Sequence, residues 1–297
     1  MSYYKELMGE TVASGLVWAE SPRWRDGVLW VSDTQTSRLL AVGEAETEVY
    51  DLDSPVNGTS FLAKGQLVAA RMTAKRIDLM TGDGWESYVD LSGVAEGRLG
   101  DMTSLGDGTI YVDDLGATVG PEGGRIVKVD PTRRPTVAAT DLVFPNGLAL
   151  IDGGETLIVA ETFANRLTAF TVGSNGDLSA RRPWLDLASE LGPEHRADGL
   201  WASRDGSVWA ATATGEAVIR AREGEIVEKY DMDGFAIACC LDDDEQSLYV
   251  TTARSNDSSQ PVLEAVFQKE VTARVERYHC RDGRLVSAEE SEDRHER

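Results

Sequence analysis

The chain has 297 residues, with 51 acidic side chains against 29 basic ones and a formal net charge of −22. That balance leaves no basic excess to replace the counterions of a nucleic acid, and an anionic membrane surface repels it. Its first consequence is solubility, and a hydrophobic content of 41% is enough for a sizeable core.

The opening segment, MSYYKELMGETVASGL, has no basic region followed by an apolar stretch, so it does not read as a signal peptide. No apolar run reaches membrane-spanning length. Cys239, Cys240 and Cys280 are too few and too close for a disulfide framework, and no His/Cys cluster accompanies them. They are expected to be buried small hydrophobes in a reducing, cytoplasmic setting.

Along the chain, one pattern recurs. It is GVLWVSDTQTSRLLAV (27–42), GQLVAARMTAKRIDLM (65–80), GTIYVDDLG followed by GRIVKV (108–129), ETLIVAETFANRLTAF (155–170), GSVWAATATGEAVIR (206–220) and QSLYVTTARS (246–255). Each unit opens on a turn-like residue and a short apolar or β-branched run. Five continue through a polar break into a second run, usually entered by Arg, Lys or Ala. That is strand, hairpin, strand. The first runs begin at Leu29, Leu67, Ile110, Leu157, Val208 and Leu248, a period of about 40–50 residues that suits four-stranded propeller blades. The expectation is an all-β chain, a single six-bladed β-propeller over residues 1–286 around a central channel, with few helices. TVASGLV (11–17) is expected to close the ring as a strand of the last blade, since closure removes sheet edges. The charged tail at 287–297 is expected to lie outside the fold.

Eight residues before the turn glycines Gly65, Gly108, Gly154 and Gly206 stand Asn57, Gly100, Asn146 and Asp198. In the first unit, seven residues before Gly27, stands Glu20; in the sixth the counterpart is near Ala236. On innermost strands these positions face one another around the channel. Two carboxylates and one or two amide oxygens on one ring suit a hard divalent cation. The alternative for Asn-Gly and Asp-Gly is a solvated turn at the channel rim.

ESPRW (20–24), PNGLAL (145–150), ADGLW (197–201), VAETFANRLTAF (159–170) and GSVWAA (206–211) resemble the senescence marker protein/gluconolactonase/luciferin-regenerating enzyme family over roughly residues 10–255. The resemblance implies a six-bladed propeller holding one divalent cation on Glu20, Asn146 and Asp198, and metal-dependent hydrolysis of lactones and related cyclic esters. The cation implied is Ca²⁺ first, with Mg²⁺, Mn²⁺, Zn²⁺ and Fe²⁺ as alternatives. The family's Arg-x-Asn-Asp segment, which helps to hold substrate, corresponds to RLGD (98–101), so its arginine is Arg98. Here Gly100 replaces the Asn, which leaves the substrate open: water, Asp101 or the substrate itself fills that space.

A divalent cation polarises a carbonyl and acidifies bound water, and attack needs a base in reach. Asp198 is the expected base. Arg98, Asp101, Asn57 and the loop residue His195 are the candidate substrate-binding groups, the partner being a small molecule. No G-x-S-x-G elbow, P-loop or dinucleotide fingerprint is present. GATVGPEGGR (116–125) is either a plain connection or a loop over the channel. Trp18, Trp24, Trp201 and Trp209 are expected in the core or channel wall. The alternative function is a non-enzymatic binding propeller whose metal ties the blades together.

Overall fold

A computed structural model describes residues 7, 9–117 and 123–287. Six antiparallel sheets follow one another along the chain, each a four-stranded blade, the last with a short extra strand at Arg284–Leu285. Blade 1 comprises Ala19–Arg25, Val28–Asp33, Arg38–Val42 and Thr47–Asp51; blade 2 comprises Val56–Phe61, Leu67–Arg71, Arg76–Thr81 and Gly84–Asp90. Blade 3 runs Leu99–Ser104, Ile110–Asp114, Gly124–Val129 and Pro135–Leu142, and blade 4 runs Pro145–Ile151, Thr156–Glu161, Arg166–Val172 and Leu178–Asp186. Blade 5 is Ala197–Ala202, Val208–Thr212, Ala217–Arg222 and Glu225–Asp231. Blade 6 takes Phe235–Leu241, Ser247–Ser255 and Val271–Arg281 from the end of the chain, and its outermost strand, Glu10–Leu16, from the beginning. The expected closure by residues 11–17 is therefore the one observed. The innermost strands pack side by side from blade 1 round to blade 6 and back to blade 1, forming a six-bladed β-propeller.

The apolar runs seen in the sequence are the second strands, and their side chains fill the spaces between blades. Val68, Ile77, Met102, Ile110 and Val127 meet between blades 2 and 3; Ile158, Leu167, Leu200, Val208 and Ile219 meet between blades 4 and 5. Each such side chain contributes about 1.5–3 kcal/mol by leaving water. All three cysteines are buried and free.

The Arg that opens several third strands has a specific partner. Arg38 pairs with Asp33 at 2.8 Å and Arg166 with Glu161 at 3.0 Å, each acid lying at the end of the preceding strand. These two acids, and Asp114 at the end of the second strand of blade 3, also accept from the backbone that leads into their own blade: Asp33 from the N–H groups of Val17 and Trp18, Asp114 from those of Glu96 and Gly97, and Glu161 from that of Val143. In blades 1, 3 and 4 a carboxylate bonded this way fixes where the innermost strand begins, and so where its second residue stands.

Among the described residues two α-helices interrupt the sheets: α1 at Leu187–Leu191 and α2 at Val262–Gln268. The second sits in an insertion between the second and third strands of blade 6, a feature the strand pattern had not suggested. Among the described residues no helix is long and apolar enough to cross a membrane. Part of the loop at 116–125 (118–122), and the tail from 288 with its His295, lie outside the described residues.

Candidate functional site

The second residue of each innermost strand is, in blade order, Glu20, Asn57, Gly100, Asn146, Asp198 and Ala236. At or directly after it the pairing with the second strand slips by one residue in every blade, between Glu20 and Arg23, Val56 and Thr59, Leu99 and Met102, Pro145 and Leu148, Ala197 and Leu200, and Ala236 and Ala238. A bulge re-aims a side chain without ending the strand. The first five ring residues line one cavity of about 340 Å³.

The glycines after Asn57, Asn146 and Asp198 are not turn residues. A methyl group on Gly147 would come within 2.3 Å of the Asp198 carbonyl oxygen, one on Gly199 within 2.4 Å of Ala238 Cβ, and one on Gly58 within 2.6 Å of the Met102 nitrogen. Glycine is required because adjacent innermost strands touch there through their backbones.

Glu20 and Asp198 are both buried. Burial, then the charge of Asp198, holds the Glu20 carboxyl well above its ordinary range, while the Trp18 indole N–H, donating to Oε1 at 2.9 Å, pulls the other way. Asp198 is pushed up to about 8 by burial and then by the charge of Asp101, against a hydrogen bond from the Asn146 amide. Two carboxylates out of water near each other cannot both ionise cheaply.

Beneath this ring lies a second polar layer. Arg23 donates to Asp101 Oδ1 at 2.8 Å, to the Thr59 carbonyl at 3.0 Å and to the Met102 carbonyl at 3.1 Å, and stands 5.6 Å from the centre of the Trp201 ring. Asp101 also accepts from Ser21 Oγ and from the Met102 N–H. Both members of the pair are buried.

Of the residues expected to hold substrate, Arg98 and Asn57 line the cavity. Asp101 is engaged with Arg23 one layer down. His195 does lie in the loop before Ala197–Ala202, but it is buried rather than solvated, with Nδ1 at 3.1 Å from Thr212 Oγ1 and with Gly215 packed on its ring. The space beside Gly100, open in the sequence reading, holds the carboxylate of Asp113. Desolvation, then the Asp101 charge, holds Asp113 well above the usual carboxylate range.

The cavity walls brought further residues that sequence reasoning missed. Phe144 and Phe163 pack with ring centres 4.6 Å apart, Arg196 lies 5.5 Å over Phe163, and Phe235 completes the side nearest blade 6. Leu263, Val266 and Phe267 of α2 reach the mouth. Arg196 carried a weak signal, two residues before Asp198; the aromatic residues carried none.

Residues 18–254 match the family model described as the SMP-30/gluconolactonase/LRE-like region. The chain belongs to this family. A curated relative, 6-deoxy-6-sulfogluconolactonase from Pseudomonas putida, is 23% identical over 84% of this chain and 87% of its own length. A gluconolactonase from Xanthomonas campestris superposes with a TM-score of 0.71 at 23% identity, covering 90% of this chain and 88% of that one. Regucalcin from Agrobacterium tumefaciens, described as a calcium-binding protein, gives 0.75 at 19% identity over 95% and 97%. Family and relatives together support lactone hydrolysis as the general chemistry.

Proposed function

We propose that this protein is a divalent-metal-dependent hydrolase that opens a lactone or related cyclic ester. The observation that carries the reading is that Glu20, Asn146 and Asp198, with both carboxylates buried, line one cavity, each as the second residue of an innermost strand. Among the described residues no three His, Cys, Asp or Glu side chains form a metal cluster; the donors are two carboxylates with amide oxygens, a hard-oxygen set that fits Ca²⁺ or a similar ion. With its amide nitrogen given to Asp198, Asn146 keeps its oxygen for the cation. The raised positions of Glu20 and Asp198 fit too, because a cation is what relieves two buried like charges. When bound, such an ion supplies Lewis acidity at the ester carbonyl.

The chain's own groups would do the rest. Arg98 and Asn57 hold the ester's polar edge against the ring. Asp198 accepts a proton from water as its oxygen bonds to the carbonyl carbon. The ring C–O bond then breaks, and the departing oxygen takes that proton, leaving a hydroxy acid. Phe144, Phe163, Phe235 and the α2 side chains give the mouth an apolar wall, which suits an ester bearing an apolar portion better than a bare sugar lactone. The test is a panel of sugar and alkyl-substituted lactones, followed by acid release with and without chelator. Cation-dependent turnover is expected; no turnover on any ester, with a cation bound, would overturn the reading.

A further inference from the structure

Two residues before the ring positions stand Trp18, Pro55, Arg98, Phe144, Arg196 and Gly234, in blade order. In blades 1 to 5 the carbonyl of this residue accepts from the N–H just past the blade's second strand, at 2.9 Å for Arg98 from Leu115 and for Arg196 from Ala213. The backbone there is set as firmly as the ring, and Trp18, Arg98, Phe144 and Arg196 all line the cavity. Arg98 and Arg196 are therefore equivalents in blades 3 and 5, with Phe144 of blade 4 between them.

Among the described residues neither guanidinium has an acid within ion-pair reach or a hydrogen-bond partner. Half-buried arginines elsewhere in the propeller do meet acids: Arg125 pairs with Glu96 at 2.7 Å, Arg220 with Asp205 at 2.5 Å and Arg274 with Asp233 at 2.8 Å. Arg196 is as buried as these, its Nε is shut off from water without a partner, and its guanidinium lies 5.5 Å from the centre of the Phe163 ring. The acids that line the cavity are Glu20 and Asp198, the pair that a divalent ion balances in the reading above. A desolvated guanidinium without an anion is costly. The net charge of −22 repels anions at long range, so unbalanced positive charge inside this cavity points to an anionic group that enters it.

We propose that Arg196 binds an anionic substituent of the substrate, which is then a lactone or cyclic ester bearing, beside its apolar portion, a second oxyanion such as a carboxylate. This rests on the hydrolase reading above, in which Arg98 and Asn57 take the ester's polar edge and leave Arg196 for another group. A guanidinium presents a planar fork of donors that matches a carboxylate. Its contact with Phe163 holds that fork in place and puts an apolar surface beside it, so a chain that ends in the anion is covered along its length. Arg196 selects the substrate and takes no part in the bond changes.

The probes are two alkyl-substituted lactones of one ring size, whose chains end in a carboxylate or in the neutral carboxamide, and the corresponding lactams, which resist hydrolysis. The full chain in millimolar Ca²⁺ is expected to favour the acid over the amide by about tenfold or more in kcat/KM, chiefly through KM, and by a similar factor in calorimetric affinity for the lactams. Arg196→Met keeps an apolar contact with Phe163 and removes the charge; both preferences should fall to near parity in it, with Arg196→Lys in between. If Arg196→Met does not fold, Arg196→Gln takes its place. A wild type that turns over the lactones but favours neither end group, or a folded Arg196→Met that keeps the preference, overturns the role of Arg196 and leaves the hydrolase reading standing. No turnover of either lactone, with the acid lactam still preferred and that preference lost in Arg196→Met, overturns the hydrolase reading and keeps the anion site. No turnover with equal lactam affinities overturns both.

Discussion

Asn146 donates its side-chain amide to Asp198 across the seam between blades 4 and 5, joining two residues 52 positions apart. Each is the second residue of its innermost strand, and each precedes a glycine that lets that strand touch the next blade, Gly147 against blade 5 and Gly199 against blade 6. The contact orients the Asp198 carboxylate, with one oxygen occupied and the other left for chemistry. On the proposed base role, Asp198→Asn removes the proton acceptor and keeps the shape. Turnover should fall by roughly 10²–10⁴-fold, while calorimetry still detects cation binding. Near-normal turnover in the cation-loaded variant would remove Asp198 from the base role.

Cation removal should destabilise the propeller, because Glu20 and Asp198 are then left facing each other in a buried site. A ligand that binds only the folded state raises stability in proportion to the logarithm of its concentration. The melting temperature in chelator is expected to sit several degrees below that in millimolar Ca²⁺. Glu20→Gln should narrow the gap from both sides: the chelated protein melts higher, having lost one of the two charges, and Ca²⁺ adds less. Scanning calorimetry on the four samples decides this, and an unchanged gap in Glu20→Gln counts against Glu20 as a ligand.

Much of this architecture is written in the chain, and the omissions have physical causes. The apolar runs from Leu29 to Leu248 announce six units because each second strand must fill the space between two blades. Glu20, Asn146 and Asp198 fall into line by counting back from the hairpin glycines. The meaning of Gly58, Gly147 and Gly199 does not, because Asn-Gly and Asp-Gly also mark turns, and only the neighbouring strand reveals that there is no room for a methyl group. Asp113 is hidden for a related reason. In YVDD it is one of two adjacent acids, and nothing local distinguishes Asp114, which clamps the backbone at Glu96 and Gly97, from Asp113, which leans over Gly100. The α2 helix sits in an insertion that, among the described residues, has no helical counterpart between the second and third strands of the other blades, so the repeat could not foretell it.

The Arg23–Asp101 pair should be a stability element more than a binding one. Arg23 ties blade 1 to blades 2 and 3 through Thr59, Asp101 and Met102. Arg23→Met leaves Asp101 buried without its partner, a loss of about 3–5 kcal/mol. Asp101→Asn costs less, since the amide still accepts from Arg23. Urea unfolding of both variants measures the difference. Equal losses would mean that the charge of Asp101 needs no compensation.

His195 gives the stability a pH dependence. Burial, then the nearby Lys229 charge, lowers its pKa, while Glu194 and Asp231 act the other way. The unfolded chain, with an ordinary His near about 6.5, therefore takes up a proton before the folded one does. The contribution from His195 is complete above that value and is lost as pH falls from it toward the lower folded value. His195→Gln, which can still meet Thr212 Oγ1, should flatten this part of the profile relative to wild type. Parallel melting curves from pH 7.5 to 5 test it; identical slopes in the two proteins would assign the dependence to other groups.

The mouth makes the last prediction. Phe267 is 74% exposed and Leu263 42% exposed, both on α2 and both lining the cavity opening. Large apolar side chains held in water at a cavity rim gain most from a ligand that covers them. Because Phe267 is so exposed, Phe267→Ser removes contact area without opening a core void, and its melting temperature should stay near that of wild type. Its kcat/KM should fall by about tenfold on an alkyl-substituted lactone, chiefly through KM, and change little on a hydroxylated sugar lactone of the same ring size. An equal loss on both substrates would show that α2 acts on closure of the site as a whole, not on the apolar portion of the ester.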